Sequence, residues 1–400
     1  MKKTVNIKKT PSVWKEKLGN LYFNIMRVLW PLIDAAIPNK PNLLIFSGDK
    51  NRFAGNSGIL FEFALKQSDL ESYFMVHSKK MYNKWESRFP GHVINSYTFT
   101  GFWKYLRARV VFITHGKGDV RPWHLSSSVK LVVNLWHGTS FKRIGDLDEG
   151  NEFKKAAREY SAITVSSVFE KKCYYQAFGP PPSKYWLTGT PRNDTIFQKE
   201  VDVPEETIIL YAPTWRDASE HKSGVGARPF PLNNFRINEL IALLEKYKAK
   251  LMLRWHSNDL NKGKKEELQN YTRLSDRIVL AGPDEYPDIQ QLMQISSVLI
   301  TDYSSIMLDF LLLDRPIIFF PYDYEEFNHE RGFFYDYNLF SPGPKVLSHL
   351  DFMYHLEQFL SNPELGFKWR KLVRSILFSQ EDGKASERII QKVRENIERS

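Results

Sequence analysis

Two adjacent serines stand where a short apolar strand gives way to a helical run. The segment ITDYSSIMLDF, residues 300–310, carries Ser304 and Ser305 in its polar turn. A serine hydroxyl at a helix start can cap free backbone N–H groups, and the same N–H groups together with the helix dipole can bind an anion. The segment therefore has two interpretations: a capped helix, or a phosphate-binding turn at the carboxyl end of a parallel strand.

A histidine occupies a comparable position in the first half of the chain. His137 follows the apolar run 131–135 and precedes Gly138 in the sequence WHGTSFK. Histidine titrates near neutral pH and can take a proton from an attacking hydroxyl, and glycine allows a ligand or another segment to approach closely. The pair predicts a general base on a loop facing a cleft, although a purely structural His-Gly turn fits the same pattern.

More polar residues follow other apolar strands. They are Arg192 in the polar turn 188–194, Thr214 after 207–211, and Arg254 and His256 after 250–253. In a parallel sheet the carboxyl ends of the strands share one edge, where open α/β sheets bind their ligands. We therefore expect these side chains to converge on a common site.

Apolar strands alternate with helical patterns along most of the chain, and the pattern restarts after an acidic, proline-containing stretch near 198–206. Strands that are apolar throughout and separated by helices indicate parallel sheets covered on both faces. We predict an α/β protein with a basic N-terminal segment at 1–40, one α/β domain at 41–200 and a second at 201–400. The last helices could pack back on the first domain.

The composition of the chain limits the kinds of partner that the protein could bind. The chain has 400 residues, a net charge of +10 and a single cysteine, Cys173, which excludes a disulfide framework and a cysteine-rich zinc site. The positive charge suits a phosphorylated substrate or an anionic membrane surface, and no RNA-binding signature with paired aromatic residues is present. Residues 13–37 follow a helical period with basic and aromatic side chains. This helix predicts either peripheral membrane attachment or packing on the protein's own core.

Five motifs, in a fixed order, add a resemblance to these observations. The segments WHGTSFK, TGTPRND, YAPTWRD, LRWH and TDYSSIMLDF resemble the CDP-glycerol glycerophosphotransferase family, which makes teichoic acids and related capsule-type polymers. The resemblance covers roughly residues 43–340. It implies a GT-B-like architecture, in which two Rossmann-like domains face each other across a cleft, with the acceptor on the N-terminal half and the donor on the C-terminal half.

The resemblance also assigns roles by motif. His137 matches the general base, and His256 belongs to an R-x-H element near the pyrophosphate and is the rival base. Ser304 and Ser305 would contact phosphate, and Asp309 would contact glycerol or sugar hydroxyls. The full substrate-binding set that it implies is Gly138, Thr139, Ser140, Phe141, Arg192, Pro213, Thr214, Arg254, Trp255, Ser304, Ser305 and Asp309.

The implied reaction transfers glycerol phosphate from CDP-glycerol to a hydroxyl of a lipid-linked or polymeric acceptor and releases CMP. No tightly bound cofactor, no metal and no nucleic acid are expected, and the enzyme would lie on the cytoplasmic face of the membrane. Alternatives are a CDP-ribitol enzyme, a nucleotide-sugar glycosyltransferase of the same architecture, and a non-catalytic RNA- or lipid-binding protein.

The sequence departs from the family pattern at three positions. Ser140 and Phe141 stand where the family loop reads Pro-Leu, and His115 occupies a loop where another polar residue is usual. These positions bear on acceptor identity, and they leave the implied base and phosphate ligands in place.

Overall fold

The structure of the chain is a computed structural model. It describes residues 25–399 apart from 27, 49–52, 54, 145–156, 198–200, 203, 215–228, 256–264, 283–284 and 287. His256, the rival base, and the N-terminal part of the predicted amphipathic helix lie outside the described residues.

Twelve strands of the described chain form two sheets, and every pairing within them is parallel. The first sheet contains β1 (Lys40–Phe46), β2 (Glu71–Val76), β3 (Val93–Asn95), β4 (Ala108–Ile113), β5 (Leu131–Asn134), β6 (Ala162–Val165) and β7 (Tyr185–Leu187). The second contains β8 (Thr207–Tyr211), β9 (Ala249–Leu253), β10 (Ile278–Leu280), β11 (Ser296–Thr301) and β12 (Ile317–Phe319). The predicted α/β class with parallel sheets is confirmed.

Helices connect and cover these strands. In the first half they are α1 (25–26 and 28–36), α2 (Gly55–Ala64), α3 (Lys79–Glu86), α4 (Phe99–Arg107) and α5 (Val168–Phe178). In the second half they are α6 (Ile237–Lys246), α7 (Lys265–Thr272), α8 (Ile289–Ile295), α9 (Ile306–Phe310), α10 (Tyr324–Glu330), α11 (Tyr337–Phe340), α12 (His349–Ser361), α13 (Phe367–Leu377) and α14 (Ala385–Glu398). Short 3₁₀ helices include Pro191–Phe197 and Leu311–Leu313.

The strand order places a ligand crevice in each half. The first sheet runs β3-β2-β1-β4-β5-β6-β7 and the second β10-β9-β8-β11-β12. In both sheets the order reverses beside the first strand, between β1 and β4 and between β8 and β11. Ligands of open α/β sheets bind outside the carboxyl ends of the strands at such a switch point. The loops after β4, β5, β8 and β11 are therefore the segments positioned to carry a site.

The core lies on both faces of each sheet because successive strand residues point to opposite sides. In β1, Leu43 and Ile45 pack into one layer, whereas Leu44 and Phe46 pack into the other. The second layer also receives Ile389, Ile390 and Val393 from α14, the last helix of the chain. The C-terminal helix thus returns to cover the sheet of the first half.

The described part of the N-terminal helix, α1, packs one face on the first half. Trp30 has no exposed surface and stacks on Trp123 with ring centroids 5.7 Å apart, while buried Asp34 pairs with buried Lys130 at 2.8 Å. The opposite face exposes Ile25, Val28, Leu29 and Leu32. Within the described ranges no helix has the length and apolar content to cross a membrane.

Candidate functional site

His137 lies on the loop that follows β5, beside the switch point of the first sheet. Its ring stacks on His115, which follows β4, with centroids 4.5 Å apart and planes 8° apart. The Trp136 ring stacks on His137 as well, at 4.8 Å. The imidazole is thus held between two rings and is still exposed to solvent. His115, one of the departures from the family pattern, orients the candidate base.

The environment of His137 favours its neutral form. Surrounding protein atoms, the positive charge that His115 can carry and the guanidinium of Arg192 all lower the His137 pKa far below its usual value, while a hydrogen bond to the Thr114 backbone opposes them. A neutral imidazole can accept a proton. The sequence alone predicts a base that titrates near neutrality, and the structure moves that titration to more acid pH.

Gly138 is required by the close approach of Arg192. Its φ is 132°, and a Cβ built on it would lie 2.1 Å from Nη2 of Arg192. Nη1 of Arg192 donates to the His137 carbonyl oxygen at 2.7 Å. A side chain at position 138 would therefore displace Arg192 from the loop after β5 that carries His137, which we call the base loop.

Arg192 also joins the two halves of the protein. Its Nη2 donates to the carboxylate of Asp309 in α9, and Asn193 donates to the other oxygen of that carboxylate at 3.0 Å. Asp309 is almost fully buried. Both of its oxygens are engaged by the N-terminal half, so this carboxylate aligns the halves in addition to any contact with substrate hydroxyls.

Asn56 is a site residue that the motifs missed. Its buried amide donates to the carbonyls of Leu135 and Trp136 at 2.9 and 2.8 Å, and its oxygen accepts the Arg192 N–H at 3.1 Å. One side chain thus fastens the His137 loop to the Arg192 turn. Asn56 lies at the start of α2, after the loop that follows β1, and loops that follow strands at a switch point are where such folds bind ligands.

Glu170 is the second missed residue. It lies fully buried in α5 and accepts the backbone N–H of Ser166 at 2.6 Å and of Ser140 at 3.3 Å. Burial raises its pKa to about 7 despite these hydrogen bonds. Ser167 caps the same helix by accepting the Glu170 N–H, a Ser-x-x-Glu signature readable from sequence. The contact between Glu170 and Ser140 joins residues 30 apart in the sequence, so no local pattern predicts it.

Ser140 and Phe141 connect the base loop to its surroundings. The Ser140 hydroxyl lies 3.0 Å from the Trp136 indole nitrogen and 2.9 Å from the Tyr174 hydroxyl, and its carbonyl accepts from Tyr335 at 3.0 Å. Thr139, also buried, lies 3.3 Å from the Ser166 hydroxyl. These contacts fix the loop, and they explain how Ser140 is accommodated where the family loop has proline.

Phe141 leaves its own half and enters the core of the other. It is 1% exposed and packs on Phe333 and Tyr335, with centroids 4.9 and 5.3 Å apart. Its carbonyl accepts the Phe334 N–H at 3.0 Å, and Lys142 forms an antiparallel bridge with Phe333. The segment 141–143 is thus joined to 332–335 by side chains and backbone.

Ser304 and Ser305 lie at the switch point of the second sheet, half-buried at the start of α9. The capping interpretation drawn from the sequence is incomplete, and the phosphate-binding interpretation stays a prediction. Ser305 occupies the cap position, but its side chain forms no capping hydrogen bond within the described chain, and α9 is only five residues long. The Ser305 hydroxyl is therefore not used for capping.

The preceding turn aligns Thr214 with these serines. Asp302 accepts the N–H of Thr214 at 2.8 Å and that of Tyr303 at 2.6 Å. Thr214 is buried, and Pro213 before it is half-buried. The loops after β8 and β11 thus form one wall of the crevice.

Arg254 and Trp255 end β9 in different environments. Arg254 is half-buried and donates to the Ala281 carbonyl at 3.0 Å. The positive charges of Arg254 and Arg192 both act on Asp288, which places the two guanidinium groups near one carboxylate. Trp255 packs inside the core at right angles to Tyr211, a packing role that its motif match does not indicate.

The candidate site therefore contains two groups of residues, each joined by contacts within the group. One joins His137, Gly138, Arg192 and Asp309 across the halves, and the other joins Thr214 to the turn of Ser304 and Ser305. Asp309 lies in the helix that begins after Ser305. A histidine, a guanidinium and a helix start thus lie near the switch points of the two sheets, a combination suited to transfer of a phosphoryl group.

Comparison with known proteins agrees with this arrangement. A model of the family described as CDP-Glycerol:Poly(glycerophosphate) glycerophosphotransferase matches residues 32–395. The teichoic acid glycerol-phosphate transferase of Staphylococcus aureus is 29% identical over 386 residues, covering 89% of this chain and 94% of the relative. The teichoic acid poly(glycerol phosphate) polymerase of Bacillus spizizenii is 26% identical over 366 residues, covering 82% and 86%.

Solved structures share the fold. The wall teichoic acid polymerase TagF superposes with a TM-score of 0.70 at 20% identity, covering 96% of both chains. A UDP-N-acetylglucosamine 2-epimerase superposes with a TM-score of 0.54 at 15% identity, covering 89% of this chain and 96% of that one. The predicted GT-B-like α/β class is confirmed.

Proposed function

Because the chain belongs to the CDP-glycerol:poly(glycerophosphate) glycerophosphotransferase family, we propose that it transfers glycerol phosphate from CDP-glycerol to an acceptor hydroxyl. The acceptor is a lipid-linked or polymeric polyol phosphate or glycan, and CMP is released. The observation that carries the proposal is the chain of contacts from the His137 loop through Arg192 to Asp309 and the helix start beside it. It supports a base on one half acting on a donor held by the other.

The reaction requires one bond to form and one to break. The acceptor oxygen attacks the phosphorus that bears glycerol, and the bond from that phosphorus to the CMP oxygen breaks. His137 takes the proton of the attacking hydroxyl, and CMP leaves with the electron pair of the broken bond. Base catalysis of this kind is typically worth about 10²–10⁴-fold in rate.

Charge stabilisation is the other requirement, because negative charge is spread over the phosphate oxygens in the transition state. We assign it to Arg192, Arg254 and the N–H groups that precede α9, with the hydroxyls of Ser304 and Ser305. Arg192 is already bound by Asp309 and the His137 carbonyl, so it is oriented before the donor arrives. Preorganised donors of this type stabilise charge at little reorganisation cost.

The proposal is tested by CMP release from a panel of CDP-glycerol, CDP-ribitol and UDP-sugars. We expect release from CDP-glycerol. CDP-ribitol is the second candidate donor, because the teichoic acid poly(ribitol-phosphate) polymerase of Bacillus spizizenii is 25% identical over 378 residues, covering 89% of this chain and 57% of the relative. Release of UDP from a UDP-sugar, with no CMP from either polyol donor, would contradict the proposal.

Replacing Ser304 and Ser305 together with alanine should weaken donor binding by about 100-fold or more, since hydrogen bonds to charged groups are each worth about 1.5–3 kcal/mol. Stability should change little, because Ser305 forms no side-chain cap. Calorimetric titration with CDP-glycerol measures the effect. Ser348→Ala is the matched control: that serine caps α12 by accepting the Asp351 N–H at 3.2 Å, so it should lose stability and keep donor affinity. Unchanged affinity in the double variant would refute the phosphate-binding turn.

We further propose that the protein associates peripherally with the cytoplasmic face of the membrane through its basic N-terminus and the exposed face of α1. Replacing Val28, Leu29 and Leu32 with serine should lower binding to anionic vesicles about tenfold or more, since buried apolar area contributes about 25 cal/mol per Å². Sedimentation with vesicles measures this, and added salt should weaken binding further.

The control for that experiment replaces Leu347 and Leu350, which are exposed near the start of α12, and it should leave vesicle binding unchanged. The substitutions on α1 avoid Trp30 and Asp34, which belong to the core. Equal vesicle binding by both variants would mean that α1 serves only the core.

A further inference from the structure

A cavity of about 540 Å³ opens between the two halves, beside the Arg192 turn. We call it the side pocket. One wall comes from α2, from the end of α3 and from Phe53, and the facing wall comes from α8 and Tyr286. Its size falls in the range of small-molecule sites, which is roughly 300–1,000 Å³. No role in the reaction outlined above uses it.

The side pocket lies against the turn that carries Arg192, which also borders the proposed catalytic cleft. Thr195, which lines it, donates to the Arg192 carbonyl at 2.8 Å, and the Thr195 carbonyl accepts from Gln294 in α8. Asn193 also contacts Gln290, a second lining residue, at 3.4 Å. A group bound in the side pocket would therefore lie next to the turn that carries Arg192, within reach of a substrate extending from the cleft.

Aromatic rings provide flat binding surfaces on both walls. Phe53 and Trp85 lie with centroids 5.0 Å apart on the N-terminal wall, and Tyr286 lies on the other. Phe53 is held in place by Phe74 and Phe89 at 4.9 and 4.6 Å. Rings fixed in this way can pack against the C–H faces of a ligand while polar groups fix its orientation.

The polar groups of the pocket include both hydrogen-bond acceptors and hydrogen-bond donors. Its described lining includes the carboxylates of Glu62, Asp202 and Asp288 and the single guanidinium of Arg88, which pairs with Glu62 at 2.7 Å. Gln290 is 1% exposed, and its side-chain oxygen has no hydrogen-bond partner in the described structure. Such a lining can pair with hydroxyl groups, which both donate and accept hydrogen bonds, and the Gln290 oxygen is an acceptor open to such a donor.

We propose that the side pocket binds a neutral, hydroxyl-rich group, a saccharide ring or polyol chain, that forms part of the acceptor. This inference rests on the proposed transferase function and specifies its acceptor subsite. Hydroxyl groups donate to the carboxylates and to Gln290, while the aromatic rings contact the carbon skeleton.

The test measures binding of two neutral probes, di-N-acetylchitobiose and ribitol, to the full chain by saturation-transfer NMR, without any CDP-linked donor. Trp85→Ala and Asp202→Asn should each weaken probe binding about tenfold or more. Trp103→Ala, which removes an exposed tryptophan from α4, is the matched control and should bind normally. Binding of one probe alone identifies the group as saccharide or as polyol. Asp202 is exposed, so its variant tests the pocket even if Trp85→Ala fails to fold.

Failure of the pocket and failure of the proposed function give different results. Normal CMP release, with neither probe binding to the wild-type protein or with both variants binding like Trp103→Ala, would overturn the side pocket alone. Probe binding that depends on Trp85 and Asp202, without CMP release from any CDP-polyol, would support the saccharide or polyol site and overturn the transferase.

Discussion

Alanine at position 137 should lower turnover about 100-fold or more, because general-base catalysis by a positioned histidine is typically worth 10²–10⁴-fold. Donor affinity should change much less, since the residues proposed to bind the diphosphate lie mainly on the C-terminal half and on Arg192. Single-turnover rates and donor titrations on the same preparation separate the two quantities. The backbone carbonyl that holds Arg192 remains in the variant, so the loop keeps this support.

The pH profile provides a second readout for His137. Protein atoms, His115 and Arg192 lower its pKa, so in the free enzyme the base stays neutral as pH falls through the usual histidine range. We therefore expect kcat/KM to be flat between about pH 6 and 8, with its acid limb below the ordinary value of about 6.5. Bound diphosphate adds negative charge and raises that pKa, so the acid limb of kcat should lie at higher pH.

His115→Ala is the matched control for these measurements. It removes the ring stacked on His137 and the positive charge that depresses the His137 pKa. The rate should fall modestly while the acid limb shifts to higher pH. A nearly normal rate for His137→Ala, together with an inactive His256→Ala protein that still binds donor, would reverse the assignment of the base.

Removing the Asp309 carboxylate should destabilise the protein by about 3 kcal/mol, because it leaves the guanidinium of Arg192 and the amide of Asn193 without their partner at a mostly buried site. The side chains of Asp309 and Arg192 are 2% and 15% exposed, so solvent screens the pair weakly. Urea unfolding of Asp309→Leu measures the loss. Arg192→Met combined with Asp309→Leu should recover much of it, since a buried pair replaced by apolar groups is often neutral.

The same double variant separates structural from substrate-binding roles. If Asp309 and Arg192 also contact the donor, the double variant regains stability and remains poor in donor binding. If the pair serves only to align the halves, both properties recover together. A single Asp309→Leu substitution that leaves stability unchanged would show that the ion pair contributes little in solution.

The fold could be predicted from the sequence because strands and helices leave patterns among neighbouring residues. Apolar strands such as 131–134 and 207–211 alternate with helices, and this pattern requires parallel sheets covered on both faces. Placing the polar residues at strand ends identified His137, Arg192, Thr214 and the Ser304 turn in advance. Their common location follows from one rule about sheet edges and needs no knowledge of side-chain packing.

The residue roles that the sequence did not predict depend on contacts between segments that are distant in the chain. Asn56 reaches Arg192 across 136 residues, and Glu170 reaches Ser140 across 30. Trp255 resembles a ligand contact by its motif and packs in the core. The periodicity of α1 fits a membrane surface and a protein core equally well, and only the burial of Trp30 shows that one face belongs to the core. No local pattern encodes these choices.

The insertion of Phe141 into the aromatic cluster of Phe333 and Tyr335 limits how this protein can be recombined. Because the segment 141–143 pairs with 332–335, the base loop and the C-terminal half form one packing unit although they are far apart in the sequence. A chimera that joins the first half of one relative to the second half of another would mismatch this unit. We expect such a chimera to fold only if both segments come from the same relative. A design that exchanges halves should therefore keep these two segments together and not simply cut the chain at the linker.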